Sequence, residues 1–218
     1  MNNNSKITFA IDLDEVLRCT LCKMLEVYNR EFKDDKQYDD VKSFVVEESF
    51  PRIEKETGIN PAKWFFQDHA DEIFEQSDVV VGAREAIEVL QQYGKVIIVT
   101  YQKSLKNKLQ ALDWLERHGF PTDNICFLKD KTIVHTTFLV DDNDWNFVGC
   151  NAQYGVLVNA PYSKDKPLKD IHAKSNCKKM MAVNSIAEFA NILQRPGLLA
   201  QILDEEIAKQ IQQQQHDK

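Results

Sequence analysis

Lys6 to Asp12 read KITFAID, a short run of β-branched and aromatic residues that ends abruptly in a carboxylate. Such a run with a polar stop predicts a buried strand whose carboxyl end carries chemistry. Asp14 adds a second carboxylate two residues further on. Beyond it, Leu17, Leu21, Met24, Leu25, Tyr28 and Phe32 recur at helical spacing, so the chain leaves the sheet edge as an amphipathic helix.

From Asp34 to Ser77 the pattern changes to short helical stretches, Pro51, Pro61 and aromatic clusters at Phe44, Trp64, Phe65, Phe66 and Phe74, with no run that reads as a central strand. Residues 18–78 therefore read as a small helical cap domain inserted after the first strand. Alternation then resumes with a helix over Ala83 to Tyr93 closed by Gly94, and the apolar strand Lys95 to Thr100. A second helix follows, with Leu105, Leu109, Leu112 and Leu115 on one face and a stop at Gly119 and Pro121, before a strand at Asn124 to Leu128. Thr137 to Asp142 (TFLVDD) and Tyr154 to Asn159 (YGVLVN) are further buried strands. Strands alternating with helices predict an α/β, doubly wound, Rossmann-like parallel sheet. Residues 1–17 and 79–197 would form this core, and residues 198–218, with Leu199, Leu203, Ile207 and Ile211 at intervals of four, a terminal helix packed on it.

At 218 residues the chain can bury a full domain and a small inserted one. Its net charge of -7 disfavours a nucleic-acid polymer as partner, because such binding needs clustered cations. No stretch approaches the roughly 18 apolar residues of a membrane span. The opening Met1-Asn-Asn-Asn-Ser-Lys6 lacks the apolar region of a signal peptide, so no membrane association and a cytoplasmic location are expected. Cys19, Cys22, Cys126, Cys150 and Cys177 are odd in number and scattered, which predicts reduced thiols. The CxxC at Cys19 and Cys22 has no matching pair for structural zinc. A homodimer is compatible with these features, which do not decide the oligomeric state.

Ligands bind outside the carboxyl ends of parallel strands, and three predicted strands end there in polar residues: Asp12 and Asp14, Thr100, and Asp141 and Asp142. Two unit charges about 4 Å apart repel by about 4 kcal/mol at an effective dielectric of 20, so a cation must sit among these carboxylates. Hard oxygen donors without His or Cys suit Mg²⁺.

Ile11 to Leu17 (IDLDEVL) resembles the DxD first motif of the haloacid dehalogenase superfamily of phosphatases. Thr100 resembles the second motif, Lys131 in Lys129-Asp-Lys-Thr132 the third and Val140-Asp-Asp142 the fourth. Each element alone is weak: Thr100 could be an ordinary strand-end hydroxyl, Lys131 a solvated loop lysine, and Asp141 with Asp142 a helix cap. Four in order are specific. The resemblance implies Asp12 as nucleophile forming an aspartyl phosphate, and Asp14 as acid and base. It implies Thr100 and Lys131 as phosphoryl-binding groups, and Mg²⁺ held by Asp12, the Asp14 carbonyl and Asp141, with Asp142 behind them.

Within Ala111 to Pro161, Asp113-Trp-Leu-Glu116, Lys129-Asp-Lys-Thr132, Phe138-Leu-Val-Asp-Asp142 and Gly155-Val-Leu-Val158 together are similar to the 5'(3')-deoxyribonucleotidase family. That implies a deoxynucleoside monophosphate substrate whose base stacks on cap aromatics such as Phe44, Trp64 or Phe65. Three positions depart from the family pattern: Glu15 replaces its usual Gly, Thr20 stands where an aromatic is expected, and Tyr101 replaces a small polar residue. A sugar-phosphate phosphatase or mutase is the alternative enzyme. The non-catalytic alternative is a phosphate-binding module in which Glu15 suppresses turnover and the C-terminal helix engages a partner.

Overall fold

The computed structural model of the chain describes residues 7–195 and 203–216. Six strands form one parallel sheet: β1 (Ile7–Ile11), β2 (Gly94–Thr100), β3 (Ile125–Phe127), β4 (Phe138–Asp141), β5 (Tyr154–Val158) and β6 (Lys179–Val183), in the order β3-β2-β1-β4-β5-β6. The chain winds outward from β1 to β3, then crosses back to β4. The switch point therefore falls between β1 and β4, where a doubly wound sheet opens its ligand crevice. Neighbouring register pairs Ile11 with Ile98 and with Val140, which sets the carboxyl ends of β2, β1 and β4 side by side.

The central strands β1, β4 and β5 are buried on both faces, as their near-continuous apolar runs require. Phe9, Ile11, Ile98, Phe138, Val140 and Val156 pack on α6 (Ala83–Tyr93), α9 (Ile186–Leu193) and the C-terminal α10 (Glu205–His216) through Leu90, Phe189 and Ile211. Ala10, Val99, Leu139 and Leu157 face the other way, towards Phe147, Cys150 and Ile171 of α8 (Leu168–His172). The predicted tail helix thus docks on its own core over residues 205–216, while Leu199 lies outside the described residues, as does Lys6.

Between β1 and β2, α1 (Thr20–Phe32), α2 (Val46–Ser49), α3 (Pro51–Thr57), α4 (Pro61–Lys63), a π-helical turn at Trp64–Asp68 and α5 (Ala70–Gln76) enclose a second apolar cluster. Leu25, Tyr28, Phe50, Trp64, Phe65 and Ile73 make it up, with Ala160 and Tyr162 closing it from the core side. The chain leaves and re-enters the core through one short antiparallel bridge between Arg18 and Val79.

Gly94 closes α6 as expected, donating its N–H to Leu90 O, and at the same time begins β2 in extended geometry. It is small because a Cβ there would lie 2.1 Å from the Ile7 carbonyl oxygen. Three local expectations need correction. On α7 (Leu105–Arg117), Leu105 and Leu109 are exposed, and the inward face is Asn107, Gln110, Ala111, Trp114 and Leu115. The cap explains the exchange: Gln110 donates to Asp71 and Glu75 of α5. The edge strand β6 and α9 extend the fold beyond the strands expected. Finally, Cys19 and Cys22 are joined as a disulfide rather than free, because the CxxC spans the first turn of α1 and brings the two residues onto one side.

Candidate active site

The loop after β1 builds the centre. Asp12 follows the last strand residue, its N–H donating to Val140 O at 2.9 Å, so its carboxyl group projects from the switch point. Its Oδ1 accepts from Leu13 N at 2.8 Å and from Lys131 Nζ at 2.9 Å. The chain then turns tightly: Leu17 N and Arg18 N both donate to Leu13 O, and Glu15 N donates to Arg18 O. This turn forces Glu15 to φ 60°, a left-handed conformation that glycine adopts freely and glutamate at a cost.

Lys131 and Asp141 complete the pairings. Asp130 caps the short 3₁₀ turn Lys131–Ile133, which buries Lys131 between β1 and β4. Its Nζ lies 2.6 Å from Asp141 Oδ2. Burial works against this ammonium, but Asp12 and Asp141 outweigh it and hold its pKa above the usual lysine range. Both Asp141 oxygens are also engaged elsewhere, Oδ1 by Asn143 N at 3.0 Å and both by Asn146 Nδ2 at 2.9 and 3.0 Å. Asp142 accepts from the Tyr162 hydroxyl through Oδ2, and Oδ1 has no donor among the described residues.

Asp12, Asp141 and Asp142 are buried and each offers an oxygen within 4.8 Å of the others. Three carboxyl groups against one ammonium leave an excess of negative charge. Burial pushes Asp12 up to about 7 against the pull of Lys131, with Asp141 and Asp14 adding to the rise. Burial, then Asp141 and Asp12, hold Asp142 well above the carboxylate range. An all-oxygen cluster so short of positive charge could hold a hard divalent cation.

Asp14 stands slightly apart, its side chain 30% exposed towards the cavity. Oδ1 accepts from Arg18 Nε at 3.0 Å, from Arg18 Nη2 at 2.7 Å and from the Thr20 hydroxyl. Oδ2 accepts from Gln102 Nε2 at 2.9 Å, and that amide also reaches Thr100 Oγ1 at 3.3 Å. Glu15 accepts from Leu21 N at 2.5 Å and from the Tyr38 hydroxyl at 2.8 Å. Enclosure pushes its pKa up to about 7 in spite of both bonds.

A cavity of about 930 Å³ lies between core and cap, lined by Asp12, Asp14, Glu15, Thr100, Lys131 and Asp142 below and by Phe44, Phe50, Phe66 and Phe74 above. It lies in the size range of small-ligand sites. Among the aromatics proposed to meet a substrate, Phe44 lines it, with its ring 5.4 Å from Tyr162. Trp64 and Phe65 do not. They sit in the cap core, where Phe65 packs on Phe50 at 4.8 Å and Trp64 on Phe32 at 5.6 Å. Arg18, Gln102 and Tyr162 escape a reading of strand ends. The one signal for Arg18 was its position four residues after Asp14, in the charge spacing of a helical turn.

A family model described as 5' nucleotidase, deoxy (pyrimidine), cytosolic type C protein matches residues 5–185. A protein of Chlorobaculum tepidum to which a 5'(3')-deoxyribonucleotidase activity is ascribed is 27% identical over 110 residues, covering 48% of this chain and 54% of that relative. The chain thus matches about half the length of that relative. Among solved structures, a haloacid dehalogenase family hydrolase from Deinococcus radiodurans with bound phosphate and sodium superposes with a TM-score of 0.54 at 13% identity, over 89% of this chain and 97% of the other. The YfnB hydrolase of Bacillus subtilis bound to magnesium gives 0.56 at 14% identity, over 87% and 99%. At these identities the two structures establish a common fold.

Proposed function

The chain belongs to the family of the deoxy (pyrimidine) 5' nucleotidases of cytosolic type C, and from that premise we propose that it hydrolyses deoxynucleoside monophosphates through an aspartyl phosphate on Asp12. The observation that carries this reading is the fixed orientation of Asp12. Lys131 and Leu13 N hold Oδ1, and Oδ2 has no donor among the described residues and shares the cavity with Asp14 and Thr100. A carboxylate held by one oxygen and free at the other suits in-line attack on phosphorus.

Thr100 Oγ1 and Lys131 Nζ would hold the phosphoryl oxygens as negative charge spreads over them. Asp14 would give the leaving oxygen a proton and then take one from the water that cleaves the aspartyl phosphate. Asp12, the Asp14 carbonyl and Asp142 would hold Mg²⁺, which supplies Lewis-acid stabilisation of the phosphoryl oxygens when bound. Asp142 is favoured over Asp141 for direct contact because both Asp141 oxygens already accept from Lys131, Asn143 and Asn146. Asp141 then serves to hold Lys131.

The apolar upper wall supports a nucleobase more than a bare sugar, since aromatic rings stack on planar bases. The test is a Mg²⁺-dependent assay over 5' and 3' deoxynucleotides, sugar phosphates and acetyl phosphate. Preference for the nucleotides is expected, with Asp12→Asn abolishing turnover of all of them. Equal or better turnover of sugar phosphates would shift the reading to a sugar-phosphate phosphatase, and near-normal activity of folded Asp12→Asn would end the aspartyl-phosphate mechanism.

A further inference from the structure

The geometry points to Arg18 as a positioning residue for Asp14, one that dictates which carboxyl oxygen carries the proton passed to the leaving group. This rests on the proposed acid and base role of Asp14. Arg18 is fully buried at the bridge where the chain passes from core to cap. A buried guanidinium requires a partner, and among the described residues its ion-pair partner is Asp14. The contact is not the usual two-oxygen fork. Nε at 3.0 Å and Nη2 at 2.7 Å converge on one oxygen, Oδ1. Arg18 cannot swing away: Nη1 donates to Phe74 O at 3.2 Å, and the guanidinium carbon lies 4.9 Å from the Phe74 ring centre and 5.6 Å from that of Trp114.

The Thr20 hydroxyl donates to the same oxygen. Three donors saturate Oδ1 and leave no lone pair for a proton. Among the described residues Oδ2 has one hydrogen-bond partner, the Gln102 side-chain amide at 2.9 Å. An amide can present N–H to a carboxylate or, turned over, its carbonyl to a carboxylic acid, so it serves both states of Oδ2. In the first half-reaction Asp12 Oδ2 bonds to phosphorus, the bond to the leaving oxygen breaks, and that oxygen takes the proton from Asp14 Oδ2. In the second, a water oxygen bonds to phosphorus as Asp14 Oδ2 takes its proton, and the Asp12–phosphorus bond breaks to release phosphate.

The test separates this role from a merely structural one by leaving group. A nucleoside leaves as an alkoxide that needs a proton, whereas p-nitrophenolate leaves without one. Burst release of nucleoside and of p-nitrophenolate is measured in single turnovers with Mg²⁺ for Arg18→Met, Thr20→Val and Asp14→Asn, each checked for folding by circular dichroism. General acids contribute typically 10²–10⁴-fold, so Asp14→Asn should slow the nucleoside burst by about that factor while sparing most of the p-nitrophenolate burst. Arg18→Met should slow the nucleoside burst by about tenfold or more, and Thr20→Val by about threefold, with the same selectivity. If Arg18→Met does not fold, Arg18→Lys, which keeps a cation there but not the paired donors on Oδ1, carries the test in its place. Equal slowing of both bursts, or an unchanged nucleoside burst in the folded variants, overturns the assignment of Arg18. An unchanged nucleoside burst in Asp14→Asn instead overturns the acid and base role of Asp14, and the proposal with it.

Discussion

Glu15 concentrates two costs in one side chain: a left-handed backbone at φ 60° and a carboxyl group enclosed beneath the cap. Its bonds to Leu21 N and the Tyr38 hydroxyl tie the first loop to the cap and offset part of that cost. The pKa rises from 4.5 to about 7 because enclosure disfavours the charged form. The folded chain therefore binds this proton more tightly than the unfolded chain does. That contribution to stability is complete below about pH 4.5 and is lost as the pH rises through about 7. Glu15→Gln keeps an acceptor for Leu21 N and removes the charge. In a metal chelator at pH 8 it should be more stable than the wild type by about 1–3 kcal/mol, and the gain should vanish at pH 4. Urea titrations at the two pH values measure it, and an equal effect at both would show that Glu15 is not held protonated by the fold.

At the scale of elements, the cap aromatics divide by location. Phe44 and Phe66 reach the cavity, whereas Trp64 and Phe65 are packed within the cap. Phe44→Ala and Phe66→Ala should lower kcat/KM on nucleotides, by the roughly 1–3 kcal/mol that a stacked base is worth, with little change on acetyl phosphate. Phe65→Ala should instead cost about 3–5 kcal/mol of stability and show no substrate preference. The same nucleotide loss from Phe65→Ala in folded protein would refute this division. In the sheet, Gly94→Ala should destabilise by about 1–3 kcal/mol or more, since the methyl group would meet the Ile7 backbone, which cannot yield as a side chain can. Strands β1 to β5 are legible in the sequence because each carries a short apolar run, buried on both faces in β1, β4 and β5. The edge strand β6 (KMMAV) is largely part-exposed and carries no such signal. The face of α7 misleads at its N-terminal half because it meets the cap there through Asn107 and Gln110, so two buried positions are polar while Leu105 and Leu109 face solvent, and only further on does the expected Leu115 point inward. For the site, strand-end residues such as Asp12, Thr100 and Asp141 announce themselves by ending apolar runs. Arg18 and Gln102 depend on a tight turn and on a cap that returns over it, so the four-residue spacing from Asp14 to Arg18 could suggest an ion pair but not its place in the site.

At the scale of the whole molecule, the sheet opening buries three carboxyl groups against one ammonium, and this couples the response of stability to pH with its response to metal. Without a cation, burial pushes Asp12 up to about 7 against the pull of Lys131, and Asp141 and Asp14 add to the rise. Asp142 is shifted the same way. Raised folded values mean that the contribution of Asp12 to the metal-free protein's stability is complete below about pH 4 and is lost as the pH climbs through about 7, and that of Asp142 is lost in the same direction. A divalent cation should reverse that slope, because it binds the ionised carboxylates and competes with their protons. A ligand at 100 times its dissociation constant adds about 2.7 kcal/mol, which for a chain of this size is a rise in melting temperature of roughly 5–10 °C. With Mg²⁺ present, the rise should be near its full value at pH 8 and small at pH 5. Asp142→Ala should remove most of it. Asp141→Ala should lower the melting temperature even in chelator, because Lys131 is left buried with one carboxylate partner among the described residues instead of two. Differential scanning fluorimetry over pH, with Mg²⁺ or chelator, reads all of these. An equal response to Mg²⁺ at pH 5 and pH 8, or an undiminished one in Asp142→Ala, would place the cation elsewhere than this cluster.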